Sequence, residues 1–293
     1  MSVAEALLPR CHFPPPGSPV TCGVSGGADS LALLVLAVEA GCTVTAVHVD
    51  HGLREGSGVE AGLVADVAAS LGAGFRPVTV HVEEGGDVEA RCRAARLAAL
   101  GPEAALGHTL DDRAETLLLN LMRGTGLNGL TALRPGPRHP ILELRRGETV
   151  ALCAGHNLEP FRDPSNADPR FRRNRVRGEV IPLLNDVALR DVAAVLARTA
   201  GVLADDADLL DTLAEGLDPT DARALAAAPT ALATRAVRRL LQPAADSELH
   251  PPDRATVARV LAVAGGAAVA CDVGRGWSVR RSAQRLELVG PGS

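Results

Sequence analysis

The sequence predicts an α/β protein with a doubly wound parallel sheet, followed by a smaller, mainly helical domain that ends in short strands. Three observations predict it. Short apolar runs alternate with helical patterns up to about residue 110. A glycine turn at residues 25–30 lies between the first apolar run and a helix, where such sheets bind ligands. Beyond residue 185 the chain becomes rich in alanine, leucine and valine at helical spacing.

The first domain is predicted to span residues 1–185 and the second residues 186–293. The first has predicted strands at 20–24, 44–50, 75–80 and 104–107, and helices at 59–71 and 87–100. The second has a long predicted helix at 186–214, shorter helices at 221–227, 231–241 and 252–264, and strands at 268–273, 278–281 and 285–289. A parallel sheet of this kind binds its ligand beyond the carboxyl ends of its strands.

The glycine turn reads SGGADS and has the residues of a phosphate-binding loop. Gly26 and Gly27 permit positive φ and a close backbone approach, and the helix that follows directs amide groups at an anion. Ser25 and Ser30 add hydroxyl donors. Asp29 would repel a phosphate unless a cation lay between them, which indicates Mg²⁺. The alternative is a tight turn in which Asp29 or Ser30 caps the helix.

Composition excludes some classes of protein. All 30 residues counted as Lys+Arg are arginine, so the chain lacks the lysine that a Walker A loop requires and is not a P-loop kinase or GTPase. The net charge of −5 argues against indiscriminate nucleic-acid binding, although not against a local basic patch. With 2% aromatic residues and no tyrosine, base-stacking platforms are nearly absent.

Six cysteines are scattered without a CxxC pair or zinc-like spacing, which is typical of reduced thiols in a cytoplasmic protein. The chain starts without the pattern of a signal peptide, and its apolar runs are shorter than the roughly 18 residues that a membrane helix needs. We therefore expect a cytoplasmic protein that does not enter a membrane. The sequence leaves open whether it is a monomer or a homodimer.

Asp50 and His51 follow the second predicted strand. The carboxyl ends of parallel strands meet at one edge of a sheet, so we expect both residues to face the crevice of the phosphate loop. From this segment alone, however, a hydrogen-bonded turn residue is the interpretation we favour for His51.

Asp112 and Glu115 lie at the start of a predicted helix near residue 111. The helix has an apolar stripe, and the acidic pair falls on the opposite face. The stripe consists of Ala114, Leu117, Leu118, Leu121 and Met122. Two carboxylates at the mouth of a ligand crevice could hold a metal or an ammonium group. Acidic residues also belong in a first helical turn, and the Asp112–Glu115 spacing is similar to a capping arrangement, so both interpretations stay open.

Five arginines fall within eight residues, namely Arg170, Arg172, Arg173, Arg175 and Arg177. In a helix, the first, third and fifth of them share a face, and Asn174 lies beside them. Such a cluster can bind a phosphate backbone or ATP, whereas the alternative is a solvated helix face. In a chain of net charge −5, so dense a run favours an anionic ligand.

Taken together, six segments in order resemble the tRNA(Ile)-lysidine synthetase family of bacterial PP-loop enzymes. They are SGGADS at 25–30, VDHGLR at 49–54, GHTLDDRAET at 107–116, RGTGLNGL at 123–130, DPSN at 163–166 and RRNRVR at 172–177. The resemblance covers most of the first 185 residues. It implies the Rossmann-like, doubly wound fold of the PP-loop ATP-pyrophosphatases, with the C-terminal region in contact with tRNA.

The resemblance also implies an ATP-dependent ligase. ATP would adenylylate the C2 carbonyl oxygen of cytidine 34 in the CAU anticodon of tRNA(Ile) and release pyrophosphate. The ε-amine of free lysine would then displace AMP, which forms lysidine and changes the codon read from AUG to AUA. The implied cofactors are ATP and Mg²⁺, and the implied partners are this tRNA and free L-lysine.

Site residues follow from the same resemblance. The implied catalytic residues are Asp29, Asp112 and Glu115. The implied nucleotide-binding residues are Ser25, Gly26, Gly27, Ala28, Asp29, Ser30, Asp50 and His51, with Asp29 also a ligand of Mg²⁺. The implied substrate-binding residues are His108, Asp112, Glu115, Arg123, Arg173, Asn174 and Arg177, of which Arg173 and Arg177 would neutralise phosphate charge.

Some residues depart from the family pattern. Arg113 replaces the usual glutamine, and Cys92 and Leu97 replace the usual alanine and tyrosine. Arg93 and Arg96 remain, so we expect that helix to face an anion. The chain is also shorter than longer family members with an extra C-terminal domain, so we expect recognition of the acceptor stem to be reduced or different.

Two other functions stay open. A PP-loop tRNA thiolase shares the adenylylation step but normally needs a pair of reactive or cluster-binding cysteines, and the sequence has no CxxC. A non-catalytic adenine-nucleotide sensor would bind ATP and regulate a partner. The presence of both the phosphate loop and the Asp112/Glu115 pair argues against a sensor.

Overall fold

The computed structural model describes residues 2–50, 58–80, 88–161, 163, 168–242 and 252–290. The chain forms two compact units, residues 1–203 and 204–293. The division falls within a long helix, Val192–Glu215. The domain boundary near residue 185 stays a prediction. No helix in the described ranges is both long and apolar enough to cross a lipid bilayer.

The first unit contains a four-stranded parallel sheet in the order β3-β2-β1-β4. The strands are β1 Pro19–Gly23, β2 Thr43–Asp50, β3 Gly74–Thr79 and β4 Ala105–Leu106. Helices connect the strands, as the sequence predicts, and each strand lies within one residue of its expected ends. The prediction of a parallel α/β sheet is therefore confirmed.

Ten α-helices of the described chain begin before residue 203. They are α1 Val3–Leu7, α2 Ala28–Glu39, α3 Gly58–Ser70, α4 Val88–Leu100, α5 Leu110–Met122, α6 Leu127–Leu130, α7 Arg146–Gly155, α8 Arg172–Arg175, α9 Ile181–Ala188 and α10 Val192–Glu215. A π-helical turn, Val176–Val180, joins α8 to α9. Helix α7 has no counterpart in the sequence prediction, and it carries residues of the site described below.

The single long helix predicted at 186–214 is wrong, because α9 and α10 are separate. Leu189 has φ 50° and ends α9 in the left-handed conformation. The Asn185 side chain accepts a hydrogen bond from the amide of Val192, the first residue of α10. Its side chain therefore satisfies one of the free amides at the start of α10 and stabilises the break.

Helix α2 forms the centre of the first unit. Its side chains from Leu31 to Ala37 are all fully buried, and the helix packs against β1, β2, α1, α3 and α7. A helix that is apolar on every side is stable only inside a core. Because α2 begins at the phosphate loop, this packing fixes the position of the loop.

The second unit contains helices α11 Ala222–Ala227, α12 Thr230–Leu240 and α13 Arg254–Ala264. An antiparallel sheet in the order β5-β6-β7 follows, with strands Ala270–Gly274, Trp277–Ser282 and Arg285–Val289. Apolar side chains from the helices and from β6 and β7 share one core. The predicted helices and short terminal strands are confirmed.

Candidate active site

The phosphate loop joins β1 to α2. Gly26 has φ +83°, a conformation that side-chain-bearing residues rarely adopt. Gly27 is the N-cap of α2, and no side chain of the described residues caps this end. Ser30 Oγ donates to the Gly27 carbonyl at 2.8 Å and accepts from the Ser25 amide at 3.1 Å. The alternative in which Asp29 or Ser30 caps the helix is wrong, because both lie inside it.

Three contacts hold this loop in place. Gly107, just after β4, packs closely against the backbone of Asp29. A Cβ at this position would lie 2.7 Å from the Asp29 backbone oxygen, so only glycine fits there. The buried His48 donates from Nδ1 to the Val24 carbonyl at 2.9 Å. The amide of Phe161 donates to the carbonyl of the first loop glycine at 2.9 Å. The free end of α2 is thus preorganised to bind an anion.

Asp29 lies in the first turn of α2 and is contacted by two side chains of α7. Thr149 donates its hydroxyl hydrogen to Oδ1, and Arg146 Nε donates to Oδ2 at 3.3 Å. Burial raises the pKa of Asp29 above its ordinary value, and the negative charge of Asp112 raises it further, although Thr149 and Arg146 act in the opposite direction.

The acidic pair on α5 is buried: Asp112 is 7% exposed and Glu115 is fully buried. The predicted apolar stripe holds only in part. Ala114 and Leu117 are buried, whereas Leu121 and Met122 are more than half exposed. The first half of α5 therefore buries both its apolar face and its acidic face, and the last turn lies at the surface.

Asp112 has two roles in the structure. Its Oδ2 accepts hydrogen bonds from the amide and the hydroxyl of Thr109, at 2.8 and 2.9 Å. This is a helix cap between Thr109 and Asp112, so the capping interpretation of the Asp112–Glu115 spacing is wrong. The other oxygen of Asp112 is directed at arginine side chains, as are both oxygens of Glu115.

Arg146, the first residue of α7, contacts three carboxylates. Its Nη2 donates to Asp112 Oδ1 at 2.9 Å, its Nη1 to Glu115 Oε1 at 3.1 Å, and its Nε to Asp29 Oδ2 at 3.3 Å. One guanidinium group thereby connects the phosphate loop with the acidic pair.

Arg173 and Arg177 approach the acidic pair from α8 and from the π-helical turn. Arg173 donates to Glu115 Oε2 at 2.7 Å and to Asp112 Oδ1 at 2.9 Å. Arg177 donates to Glu115 at 2.7 and 3.1 Å and lies 3.8 Å from Asp112. We call the whole group the carboxylate–arginine cluster; its members are Asp29, Asp112, Glu115, Arg146, Arg173 and Arg177.

The charges of this cluster balance, with three carboxylates and three guanidinium groups. Burial alone would raise the pKa of Asp112, but Arg173 and Arg146 bring it below its ordinary value. Burial likewise opposes ionisation of Glu115, and hydrogen bonds from Arg177 and the charge of Arg173 lower its pKa. The acidic pair is therefore ionised at neutral pH. Buried charges of this kind are stable only when they are paired.

The other arginines of the run lie elsewhere. Arg170 precedes α8 and pairs with Asp168, with its side chain 86% exposed. Arg175 pairs with Glu179 one turn on, at the surface. The prediction of one shared face holds for Arg173 and Arg177, whereas Arg170 lies outside the helix.

The remaining candidate residues are dispersed around the cluster. His108 Nδ1 lies 3.1 Å from Nδ1 of His139, and the two rings meet edge to face. Asn174 donates to the Asp168 carbonyl at 2.9 Å and so fixes the chain before α8. Asp50 ends β2 at the same edge of the sheet as the phosphate loop. His51 lies outside the described residues.

Arg123 is not brought to the cluster. It follows the last residue of α5 and donates to Asn120 Oδ1 at 3.3 Å. Eleven residues separate it from Asp112, which is about 16 Å along a helix axis. A role for Arg123 in substrate binding stays a prediction.

Sequence reasoning did not identify Arg146, Thr149, His48 or His139. Arg146 and Thr149 lie on α7, a helix that a local signal could have revealed. Glu148 accepts a hydrogen bond from the Arg145 amide at 2.7 Å, which is the spacing of a capped helix start. Their proximity to Asp29, more than 100 residues away in sequence, has no local signal.

All six cysteines are free. Burial raises the pKa of Cys11 and of Cys22 to about 12 and that of Cys153 to about 11. Within the described ranges, no three Cys, His, Asp or Glu side chains lie close enough together to bind a metal ion. Buried neutral thiols are poor nucleophiles, since the thiolate is the reactive form.

Comparison with known proteins agrees with the fold. Residues 5–184 match the family model of the PP-loop domain ATP_bind_3. A U34-tRNA thiolase from Methanococcus maripaludis, solved with its [4Fe-4S] cluster, has a TM-score of 0.55 and 16% identity, covering 69% of this chain and 78% of that one. This likeness concerns the fold alone. The chain is thus a PP-loop protein of an ATP-binding class.

Curated relatives narrow this class. The tRNA(Ile)-lysidine synthase of Nocardia farcinica is 46% identical over 246 residues, covering 78% of this chain and 77% of its own length. Those of Mycobacterium tuberculosis and Thermobifida fusca are 43% and 42% identical, covering 74% and 77% of this chain and 72% and 77% of theirs. The chain belongs to the tRNA(Ile)-lysidine synthase family (synthase and synthetase are two forms of one name).

Proposed function

We propose that the protein is an ATP-dependent ligase that joins free lysine, through its ε-amine, to C2 of cytidine 34 in the CAU anticodon of tRNA(Ile). The reaction releases AMP and pyrophosphate and changes the codon read from AUG to AUA. The observation that carries the proposal is the carboxylate–arginine cluster beside the phosphate loop, in a chain of this family. An adenylylation site and a cation site would then lie side by side.

The first step activates the tRNA. The backbone amides at Gly26, Gly27 and Ala28 would hold the phosphates of ATP at the start of α2, with Ser25 as a hydroxyl donor. Ser30 would donate as well once its hydroxyl turns from the Gly27 carbonyl. Transfer of AMP to the cytosine oxygen makes a good leaving group from a poor one. Asp50, at the same edge of the sheet, and His51 are proposed to bind the nucleotide.

Asp29 fits a magnesium ligand. Each of its carboxylate oxygens accepts one hydrogen bond, which leaves lone pairs for a cation. Mg²⁺ binds in proteins through few carboxylates together with substrate phosphates, and Asp29 lies where those phosphates would be. When bound, the ion would neutralise phosphate charge during adenylylation.

The second step requires lysine with an uncharged ε-amine, although its ordinary pKa is about 10.4. The ionised Asp112 and Glu115 are proposed to attract the ammonium groups of lysine and to orient the amine at C2. The low pKa of both carboxyls makes them weak bases, so they serve for binding and orientation. Desolvation of the site favours the uncharged amine, whereas the two carboxylates favour the ammonium form. The ε-ammonium therefore has to release its proton to solvent before the amine attacks C2.

Binding of tRNA requires a positively charged protein surface that contacts its phosphates. Arg170, Arg172 and Arg175 are exposed and close in sequence to the cluster, so they are proposed to contact its phosphates. His108, Arg123 and Asn174 are proposed as further substrate contacts. Residues 186–293 are proposed to include the tRNA-contacting region, and the reaction is proposed to take place in the cytoplasm. Sedimentation would decide between a monomer and a homodimer.

Incorporation of labelled lysine into a CAU-anticodon tRNA(Ile) transcript, with ATP and Mg²⁺, tests the proposal. A methionine tRNA and a C34→U transcript are the controls. We expect incorporation into the first RNA alone, with AMP and pyrophosphate formed. RNA-dependent pyrophosphate release without incorporation would redirect the assignment to another nucleophile, sulfur first. Folded protein that binds ATP and gives neither signal would contradict the ligase and favour a sensor.

A further inference from the structure

Arg146 connects the two halves of the proposed reaction. Among the described arginines, it is the one that contacts Asp29 at the phosphate loop as well as Asp112 and Glu115. Within the described part of the chain, the carboxylates paired with Arg173 and Arg177 are those of the acidic pair. Arg146 therefore lies on the boundary between a site for phosphate and a site for cations.

Each carboxylate oxygen of the acidic pair accepts at least one hydrogen bond. Asp112 accepts from Thr109 on one oxygen and from Arg146 and Arg173 on the other. Glu115 accepts from all three arginines of the cluster. A lysine ammonium can approach these carboxylates closely only if a guanidinium group withdraws.

Charge leads to the same conclusion. The cluster is balanced at three negative and three positive groups. Free lysine adds one net positive charge, which a buried site resists unless another cation leaves or an anion arrives. Bound ATP is such an anion, and it would lie at the phosphate loop beside Asp29.

Arg146 is the arginine best placed to move to it. Its Nε already contacts Asp29, at 3.3 Å the longest of its three hydrogen bonds to carboxylates. Arg146 is also the first residue of α7, so its side chain extends from the N-terminal end of that helix. A guanidinium group binds phosphate through paired N–H donors, an arrangement that lysine cannot form.

We infer that Arg146 couples the two substrate sites. In the enzyme without ligands it occupies the cation position at Asp112 and Glu115. When ATP binds, Arg146 turns to the phosphates and leaves that position to lysine. Lysine consequently binds tightly only after ATP. The inference rests on the proposed function, since it takes the acidic pair as the lysine site.

Coupling of this kind is reciprocal. If ATP strengthens lysine binding by some factor, lysine must strengthen nucleotide binding by the same factor. Typical coupling between two sites is roughly 5- to 150-fold in affinity. We expect ATP to change the affinity for lysine by at least about 10-fold. Without ATP, lysine must displace the Arg146 guanidinium from the acidic pair, whereas with ATP bound that group has already moved away.

Titration calorimetry of lysine measures the coupling directly. Lysine is titrated into the full-length protein alone and into the protein saturated with Mg²⁺ and α,β-methylene-ATP, an analogue that cannot be cleaved at the α-phosphate. For the wild type we expect the Kd for lysine to fall at least about 10-fold with the analogue. The inference predicts the same factor for analogue binding with and without lysine.

Substitution of Arg146 should remove this difference. In Arg146→Gln, lysine should bind the protein alone more tightly than it binds the wild type alone, and the analogue should change Kd by less than about threefold. Arg146→Lys keeps the positive charge but lacks the paired N–H donors of a guanidinium group. Its coupling should therefore lie between that of the wild type and that of Arg146→Gln, and it provides a second test if Arg146→Gln does not fold. Arg145→Gln is the matched control, because Arg145 pairs with Asp111 and Asp191 outside the cluster.

The outcomes separate the inference from the proposed function. Equal affinity of the wild type for lysine with and without the analogue would overturn the inference alone, as would wild-type coupling in Arg146→Gln. A wild type that binds lysine under neither condition would overturn the proposed function and the inference together. Coupling that is lost in Arg146→Gln and kept in Arg145→Gln supports the inference.

Discussion

At the scale of single residues, the site depends on the burial of Glu115. A carboxylate with no exposed surface must have partners that stay in place, and Glu115 has three arginines at 2.7 to 3.1 Å. Such an arrangement contributes little net stability, because desolvation offsets the attraction, but it is costly to break on one side. The cluster therefore has a fixed geometry, and substitution of one of its members is strongly destabilising.

Arg173→Ala should lower the free energy of unfolding by about 3 kcal/mol, because it leaves Asp112 and Glu115 with a net negative charge in a buried site. Urea denaturation followed by circular dichroism measures the change. The control is Arg175→Ala, since Arg175 lies two residues on, pairs with Glu179 and is exposed. Equal denaturation midpoints for both variants would show that the cluster does not stabilise the fold.

Gly107→Ala should damage the phosphate loop. The added Cβ would lie 2.7 Å from the backbone oxygen of Asp29 and 3.0 Å from Cα of Ser30, so the first turn of α2 must shift. We expect a loss of about 1–3 kcal/mol in stability and weaker binding of ATP in calorimetry. Gly62→Ala is the control, because nothing lies within 4 Å of its added Cβ, and this helix substitution should stabilise slightly. Unchanged ATP affinity in Gly107→Ala would contradict the assigned role of the loop.

At the scale of elements, α2 and α7 differ in how far their sequences reveal them. Leu31 to Ala37 form a continuous apolar run after a glycine turn, and α2 was predictable from that run. Helix α7 has a capped start, but its apolar residues form one short run, Val150 to Ala154. Its contribution to the site, through Arg146 and Thr149, depends on packing against α2, which sequence patterns do not contain.

The break between α9 and α10 gives a test at this scale. Leu189 has φ 50° and is 89% exposed, so its side chain gains little from packing while its backbone is strained. Leu189→Gly should therefore raise the free energy of unfolding by about 0.5–1 kcal/mol. Val187→Gly, an exposed position inside α9, should lower it by about 0.5 kcal/mol. Urea denaturation compares the two, and destabilisation by both would indicate a continuous helix.

At the scale of the whole molecule, the parallel sheet and the phosphate loop could be predicted from the sequence. Both have local signals, namely alternating apolar and helical segments for the sheet and the glycine turn for the loop. The sequence also identified Asp29, Asp112, Glu115, Arg173 and Arg177, which the structure brings together through Arg146. Sequence patterns could not show that Arg173 and Arg177 pair with the carboxylates, since those contacts join residues about 60 apart in sequence. The predicted apolar stripe was wrong at Leu121 and Met122, which are exposed, because helical periodicity does not show which turn of a helix lies at the surface.

Acid stability is a property of the whole molecule to which the cluster contributes. The folded pKa values of Asp112 and Glu115 lie below their unfolded values, so their ion pairs stabilise the protein above about pH 4–5, and this contribution is lost as pH falls through the folded pKa values. Asp29, with a raised pKa, acts in the opposite direction and offsets part of the effect.

The free energy of unfolding should therefore fall between about pH 5 and pH 3, and the fall should be shallower in Glu115→Gln, which has one fewer group to protonate. Urea denaturation at several pH values gives both slopes. Identical slopes for the wild type and Glu115→Gln would contradict the lowered pKa of Glu115.

The most direct test of the central claim separates adenylylation from lysine transfer in Glu115→Gln. The claim is that the phosphate loop activates the tRNA and the acidic pair binds lysine, so pyrophosphate release that depends on tRNA should stay within about 10-fold of the wild type while lysine incorporation falls at least about 100-fold. Glu179→Gln, at the surface beside Arg175, should retain both activities. Loss of both signals to the same extent in Glu115→Gln, or full retention of lysine incorporation, would contradict the account.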